Sequence, residues 1–328
     1  MHINIAKVNF KSIGINIAKV DFGLYDAAKP RLDGFYITPA RENIVIKVTP
    51  NNSYYTLHGK YLKYSFDGKT WNDWNGSVTI WPGQKMYVKG EDDYVWNSST
   101  NGKLITSTSY YNVGGDISSL TNHIDSVKGH TFYNLFNADS YIKDAGNLIL
   151  PATKLAEYCY SKMFYNCASL VTAPALPATA LAQSCYNNMF CKCASLVTAP
   201  ALPATTLVHD CYCEMFRGCT SLTTAPELPA TELTIACYDA MFYGCSSLTT
   251  APELPATGLV DICYREMFSG CSKLNSIIML ATDISASACL SMWVNGVSAT
   301  GTFTKAASMT TLPDGASGIP SGWTVVNK

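Results

Sequence analysis

The chain runs to 328 residues, of which only 14% are charged, with a net charge of −1 and a sequence pI near 6.5. So even a balance leaves no electrostatic footprint for nucleic acid or an anionic membrane, and no apolar run approaches the roughly 20 residues of a membrane span. Neither nucleic-acid binding nor membrane insertion is expected, and the length implies two or more structural units.

Residues 1–30 form an N-terminal arm. Its opening segment is broken by Lys7, Lys11, Lys19 and Asp21 and holds no apolar core of the signal-peptide kind, so no secretion leader is expected. It carries a duplication, Ile3 to Phe10 repeated as Ile15 to Phe22. In both copies apolar and polar residues alternate as in strands. The two either pair as an edge hairpin of the next domain or present an assembly-docking edge through Ile3, Ile5, Val8, Phe10, Ile15, Ile17, Val20 and Phe22.

Residues 31–108 read as a small β-sandwich of five or six strands. Ile44, Ile46 and Val48 alternate with Val45 and Lys47, and Leu62, Tyr64 and Phe66 with Lys63 and Ser65, the period-2 mark of a half-buried strand. Asp67-Gly68 supplies a tight turn, and Val78, Ile80, Met86 and Val88 continue the pattern around Trp81-Pro82-Gly83. Trp71, Trp74 and Trp81 are close in sequence. They are either core residues or a platform for stacking sugar rings, a glycan-binding module.

Residues 109–149 are expected to be a linker and an N-terminal cap repeat, in which His130 to Phe136 is a worn copy of the repeated unit. Residues 150–282 hold five copies of that 26-residue unit, starting at Leu150, Leu176, Leu202, Leu228 and Leu254. Such a period is the mark of a stacked array. Cys159, Met163 and Cys167 recur at i, i+4 and i+8, with Tyr160 and Phe164 at i+1 and i+5. That spacing predicts a short amphipathic helix. Leu170 to Ala173 then predicts a short parallel strand stopped by Pro174. The strand positions hardly vary between copies, which predicts a uniform strand face. No unit buries enough apolar surface to fold alone, so neighbours must share a core. Residues 283–328 contain a shortened copy around Cys289 and form the C-terminal cap. The fold class expected is therefore α+β, a small N-terminal β-sandwich followed by a solenoid with one short helix and one short parallel strand per repeat, capped at both ends.

Thirteen cysteines would suggest disulfides, but residues eight apart on a helix lie roughly 12 Å from each other, beyond the ~7 Å limit for a bridge. They are expected as small buried apolar groups. Histidines are scattered and no C-x-x-C pair occurs, so neither a metal site nor a cofactor is expected. No nucleophile with a recurring base is visible, which points away from an enzyme.

The motif CYxxMFxxCxSLxTAPxLPATxL, with the closing segment from Gly301 to Asn327, resembles the BspA-like leucine-rich repeats of gut Bacteroides and their phages. The resemblance covers about Ser118 to Lys328. It implies an attachment protein on a virion or an extracellular surface, one that meets a bacterial surface receptor or glycan; a homo-oligomer held to other assembly proteins through the arm is expected alongside. Lacking a leader near its start, the chain fits a phage tail or fibre component; a bacterial surface adhesin and a purely structural spacer are the alternatives. Variation between copies gathers in the loop before each cysteine. Partner-binding residues are expected there, at Glu157, Tyr158, Gln183, His209, Asp210 and Asp261.

Overall fold

The computed structural model describes residues 34–48, 62–90, 105–121 and 127–328, all within one unit running from Asp33 to Lys328. The residues expected to dock, Ile3 to Phe22, lie outside the described residues.

The N-terminal part contains two sheets. Strands β1 (Tyr36–Pro39), β3 (Lys63–Ser65), β4 (Asn72–Asp73), β6 (Met86–Lys89), β8 (Tyr111–Asp116) and β9 (Ile142–Ile149) form one, in the order β4-β3-β6-β1-β8-β9. Strands β2 (Ile44–Val48), β5 (Ser77–Ile80) and β7 (Ile105–Ser107) form the other, in the order β5-β2-β7. Ile44, Ile46 and Ile80 of the smaller sheet share a buried core with Ile37, Met86, Val88 and Val113 of the larger. The β3–β4 hairpin turns at Asp67-Gly68, where Asp67 Oδ1 accepts the backbone N–H groups of Lys69 and Thr70. Those donors hold its carboxyl well below the usual range. The alternation expected through Phe66 stops short: Leu62 and Tyr64 meet the core, while Phe66 is 42% exposed. Ser65 is buried instead, its hydroxyl shared with Asp67 and the Gly68 N–H.

Residues 109–149, expected as linker and cap, take part in this sheet. β8 pairs antiparallel with β1 and parallel with β9, and Asp144 of β9 bridges in parallel to Thr172 in the first full repeat. The sheet thus runs on into the repeats. Parallel bridges at Thr198 with Thr224 and Thr250 with Ser276 continue the row. It ends in a parallel sheet of β10 (Ser276–Met279), β11 (Thr302–Lys305) and β12 (Thr324–Asn327).

The expected helix is absent. Among the described residues the only helical element is a single 3-10 turn, Ile117–Leu120, so the chain is mostly β rather than α+β. Where a helix was expected, residues with positive φ recur every fourth position: Tyr158 (53°), Lys162 (55°) and Asn166 (57°) in the first repeat. The backbone N–H groups alternate in their use. Cys159, Ser161, Met163, Tyr165 and Cys167 donate three residues back within the repeat, whereas Tyr158, Tyr160, Lys162, Phe164 and Asn166 donate to carbonyls of the next copy. An α-helix spends every interior N–H on itself. This run of tight turns exports half of them, which is how each copy is bonded to its neighbour.

The spacing of the apolar residues agrees with this. Four residues of helix overshoot a full turn by roughly 40°, so the i, i+4, i+8 stripe would drift around a helix. A unit of four residues keeps Cys159, Met163 and Cys167 in line. A non-glycine residue in the left-handed region costs roughly 1–2 kcal/mol. At the third such position later copies use Gly218, Gly244 and Gly270, with φ of 73°, 71° and 76°, which removes that cost.

Side chains stack in columns behind these turns. The rings of Tyr160, Tyr186, Tyr212, Tyr238 and Tyr264 follow one another at 5.8–6.1 Å. A second column runs Phe35, Phe136, Phe164, Phe190, Phe216, Phe242, Phe268, Trp293 and Phe303, with centroids 5.2–6.1 Å apart. It begins beside β1 and ends in β11, so one apolar spine joins the two-sheet part, the repeats and the last sheet. The second cysteine of each copy donates its thiol to the phenylalanine carbonyl one copy back: Cys193 to Phe164, Cys219 to Phe190, Cys245 to Phe216 and Cys271 to Phe242, at 3.0–3.1 Å. No disulfide joins any of the thirteen cysteines. Burial pushes the thiols of Cys159, Cys185, Cys211, Cys237 and Cys271 up to about 12.

Candidate recognition surface

Because the copies stack in register, any position that varies between them becomes one row on the surface. Glu157, Gln183, His209, Ile235 and Asp261 form such a row, each with an exposed side chain. Their carbonyls are fixed in the ladder, accepting from His130, Tyr158, Ser184, Asp210 and Ala236 in turn. The row is held in its backbone while its side chains reach solvent. Of the remaining residues expected there, Tyr158 stacks on the His130 ring at 4.9 Å. Asp210 accepts from His209 Nδ1 at 2.9 Å; partial burial raises its carboxyl above the usual range, against the pull of His209. Asp261 Oδ1 accepts the Ser287 N–H at 2.8 Å.

A neighbouring strip is not evident from the sequence. Arg217 lies over the Tyr243 ring at 4.0 Å and within 3.6 Å of Glu214. Arg265 grips Asp239 with two nitrogens, Nε at 3.0 Å from Oδ1 and Nη2 at 2.5 Å from Oδ2. Its only trace in the sequence is a 26-residue offset between opposite charges at Asp239 and Arg265, which stacking alone turns into a contact.

The three tryptophans do not form one platform. Trp74 is 2% exposed and its indole N–H donates to the Gly76 carbonyl. Trp71, just before β4, has the Lys89 ammonium over its ring at 4.4 Å. Trp81 follows β5 in the other sheet and is 58% exposed. A sugar would find one open ring here, Trp81.

The strand-side face bears a groove of about 640 Å³, lined by residues 223–229 and 249–253 with Pro255. The uniform face expected from the strand positions is thus interrupted. The groove wall combines threonine hydroxyls, proline rings and the carboxylates of Glu227 and Glu253. Among the described residues no three His, Cys, Asp or Glu side chains gather to hold a metal, and no helix is long and apolar enough to cross a membrane. Compared with protein-family models, curated proteins and solved structures, the chain matches none.

Proposed function

We propose that this chain is a non-enzymatic attachment protein of the leucine-rich-repeat solenoid kind, a phage tail or fibre component whose repeats face a bacterial surface receptor. In this reading the N-terminal arm docks the protein to its assembly and several copies act together. The observation that carries it is the row from Glu157 to Asp261. Five differing side chains stand exposed on a backbone held by cross-repeat hydrogen bonds, and a surface whose ordering is already met by folding costs less to engage. The continuous aromatic spine supports it further, since a stiff body transmits a binding event at one end to an assembly at the other.

The test is saturable binding of the labelled protein to Bacteroides cells, compared with a variant in which Glu157, Gln183 and His209 are all alanine. Attachment through this row predicts at least a tenfold loss of affinity with an unchanged melting curve. Absence of saturable binding by the native chain favours the spacer reading. The same binding is expected of a bacterial adhesin, and locating the protein by mass spectrometry, in virions or in outer membranes, separates the two.

A further inference from the structure

The strand-side face changes character halfway along. At equivalent positions the first two copies place Val171 and Val197, Ala175 and Ala201, while the third and fourth place Thr223 and Thr249, Glu227 and Glu253. The groove of about 640 Å³ sits where the second pattern begins, within the 300–1,000 Å³ range of small-ligand sites. Val197, whose carbonyl accepts the Thr223 N–H at the groove's edge, is 42% exposed, and Val171 one copy further along is 40% exposed.

Glu227 and Glu253 occupy equivalent positions in consecutive copies, and both are exposed. Both carboxylates stand on the groove wall beside proline rings, each able to accept a cation. The structure already supplies one: the Lys328 ammonium lies 2.9 Å from Glu253 Oε1. Glu227 forms no ion pair among the described residues. One carboxylate of the pair thus receives an alkylammonium from within the chain, and its equivalent one copy earlier is open to another.

We propose that this groove binds a lysyl side chain of a partner protein in extended conformation. Glu227 accepts the ammonium, Pro229 and Pro252 flank its alkyl arm, and Val197, with Val171 beyond it, meets apolar residues preceding the lysine. This rests on the attachment reading and names the chemistry of the partner. An extended peptide fits the run of exposed valines beside the charged end; an amino sugar would leave them unused.

The test uses the full chain and the N-acetylated peptide Val-Val-Lys-Lys, with binding followed by calorimetry at low and physiological salt. The expected result is one-to-one binding, weakened at least fivefold by E227Q and unchanged by E42Q in the two-sheet part, with the norleucine analogue of the peptide not binding. Equal affinity of the native chain and E227Q, equal affinity of the norleucine peptide, or binding of a glucosamine tetramer in place of the peptide overturns the proposal. Cell binding that E227Q leaves intact removes this inference and keeps attachment. Peptide binding that depends on Glu227, in a chain that attaches to no cells, removes attachment and keeps this inference.

Discussion

The Tyr111 hydroxyl donates to Asp139 Oδ2 across 2.6 Å, and both residues are buried. Tyr111 belongs to β8, and Asp139 stands where the full repeats have their second cysteine. The worn first copy therefore exchanges a thiol that would reach back to an earlier copy for a carboxylate that reaches the sheet. Burial and the Asp139 charge together raise the Tyr111 hydroxyl well above its ordinary range, so it stays a donor at all working pH. Tyr111→Phe removes that donor from Asp139 Oδ2, while Asp139 Oδ1 still accepts the Tyr141 N–H at 2.8 Å. A loss of about 1–3 kcal/mol is expected, read as a lower urea midpoint with unchanged slope.

At Gly244, φ is 71° and an added Cβ would meet nothing closer than the Gly218 Cα at 3.9 Å. Space is available, so Gly244→Ala tests backbone conformation alone. It should cost about 1–2 kcal/mol. Ala240, at φ 49° one turn earlier, already bears that strain, and Ala240→Gly relieves it against the roughly 0.5–1 kcal/mol that glycine adds in chain entropy. The two substitutions should shift the melting temperature unequally, the first clearly down and the second within a degree or two of the native chain. An α-helix over these residues would show the reverse, a gain of about 0.5–1 kcal/mol from Gly244→Ala and a loss of similar size from Ala240→Gly.

These two sites show how far the sequence was legible. The 26-residue period, the buried Cys, Tyr, Met and Phe columns and the worn end copies follow from residue identities, because apolar side chains recurring in register must share a core. The backbone behind them did not follow, since a stripe at i, i+4 and i+8 fits both an α-helix and a run of four-residue turns. The deciding signal was small: Asn166, Gly218, Gly244 and Gly270 at the last outward position mark left-handed backbone, not helix. The variable row was likewise visible as variation. The groove needed the alanine-to-glutamate change at Glu227 and Glu253 to be read together with the valine-to-threonine change at Thr223 and Thr249, four residues away in sequence and on one wall in space.

Trp74 and Trp81 separate core from surface within one short segment. Trp74→Ala empties a buried site and removes the bond from its indole to Gly76, with an expected cost of about 3–5 kcal/mol. Trp81→Ala, at 58% exposure, should change stability by no more than about 0.5 kcal/mol. Denaturant titration of both variants checks this. Comparable losses from the two would show that Trp81 is covered in solution, by another copy or by residues outside those described.

The buried thiols set an alkaline limit on stability. Cys159, Cys185, Cys211, Cys237 and Cys271 are pushed up to about 12 by burial, against about 8.5 in an unfolded chain. Between those values the native state keeps protons that the unfolded chain has released, so stability falls as pH rises. Below the unfolded value both states are protonated and the thiols contribute no pH dependence. Each pH unit inside the window costs roughly 1.4 kcal/mol per thiol, and several thiols titrate together. The urea midpoint should therefore hold steady from about pH 6 to 8 and collapse above about pH 9, more steeply than one group allows. Replacing Cys211 and Cys237 by alanine should lower the plateau through lost packing and flatten the alkaline slope. An unchanged slope would mean that these thiols are solvated, and that the columns behind the turns are looser than the stacked rings indicate.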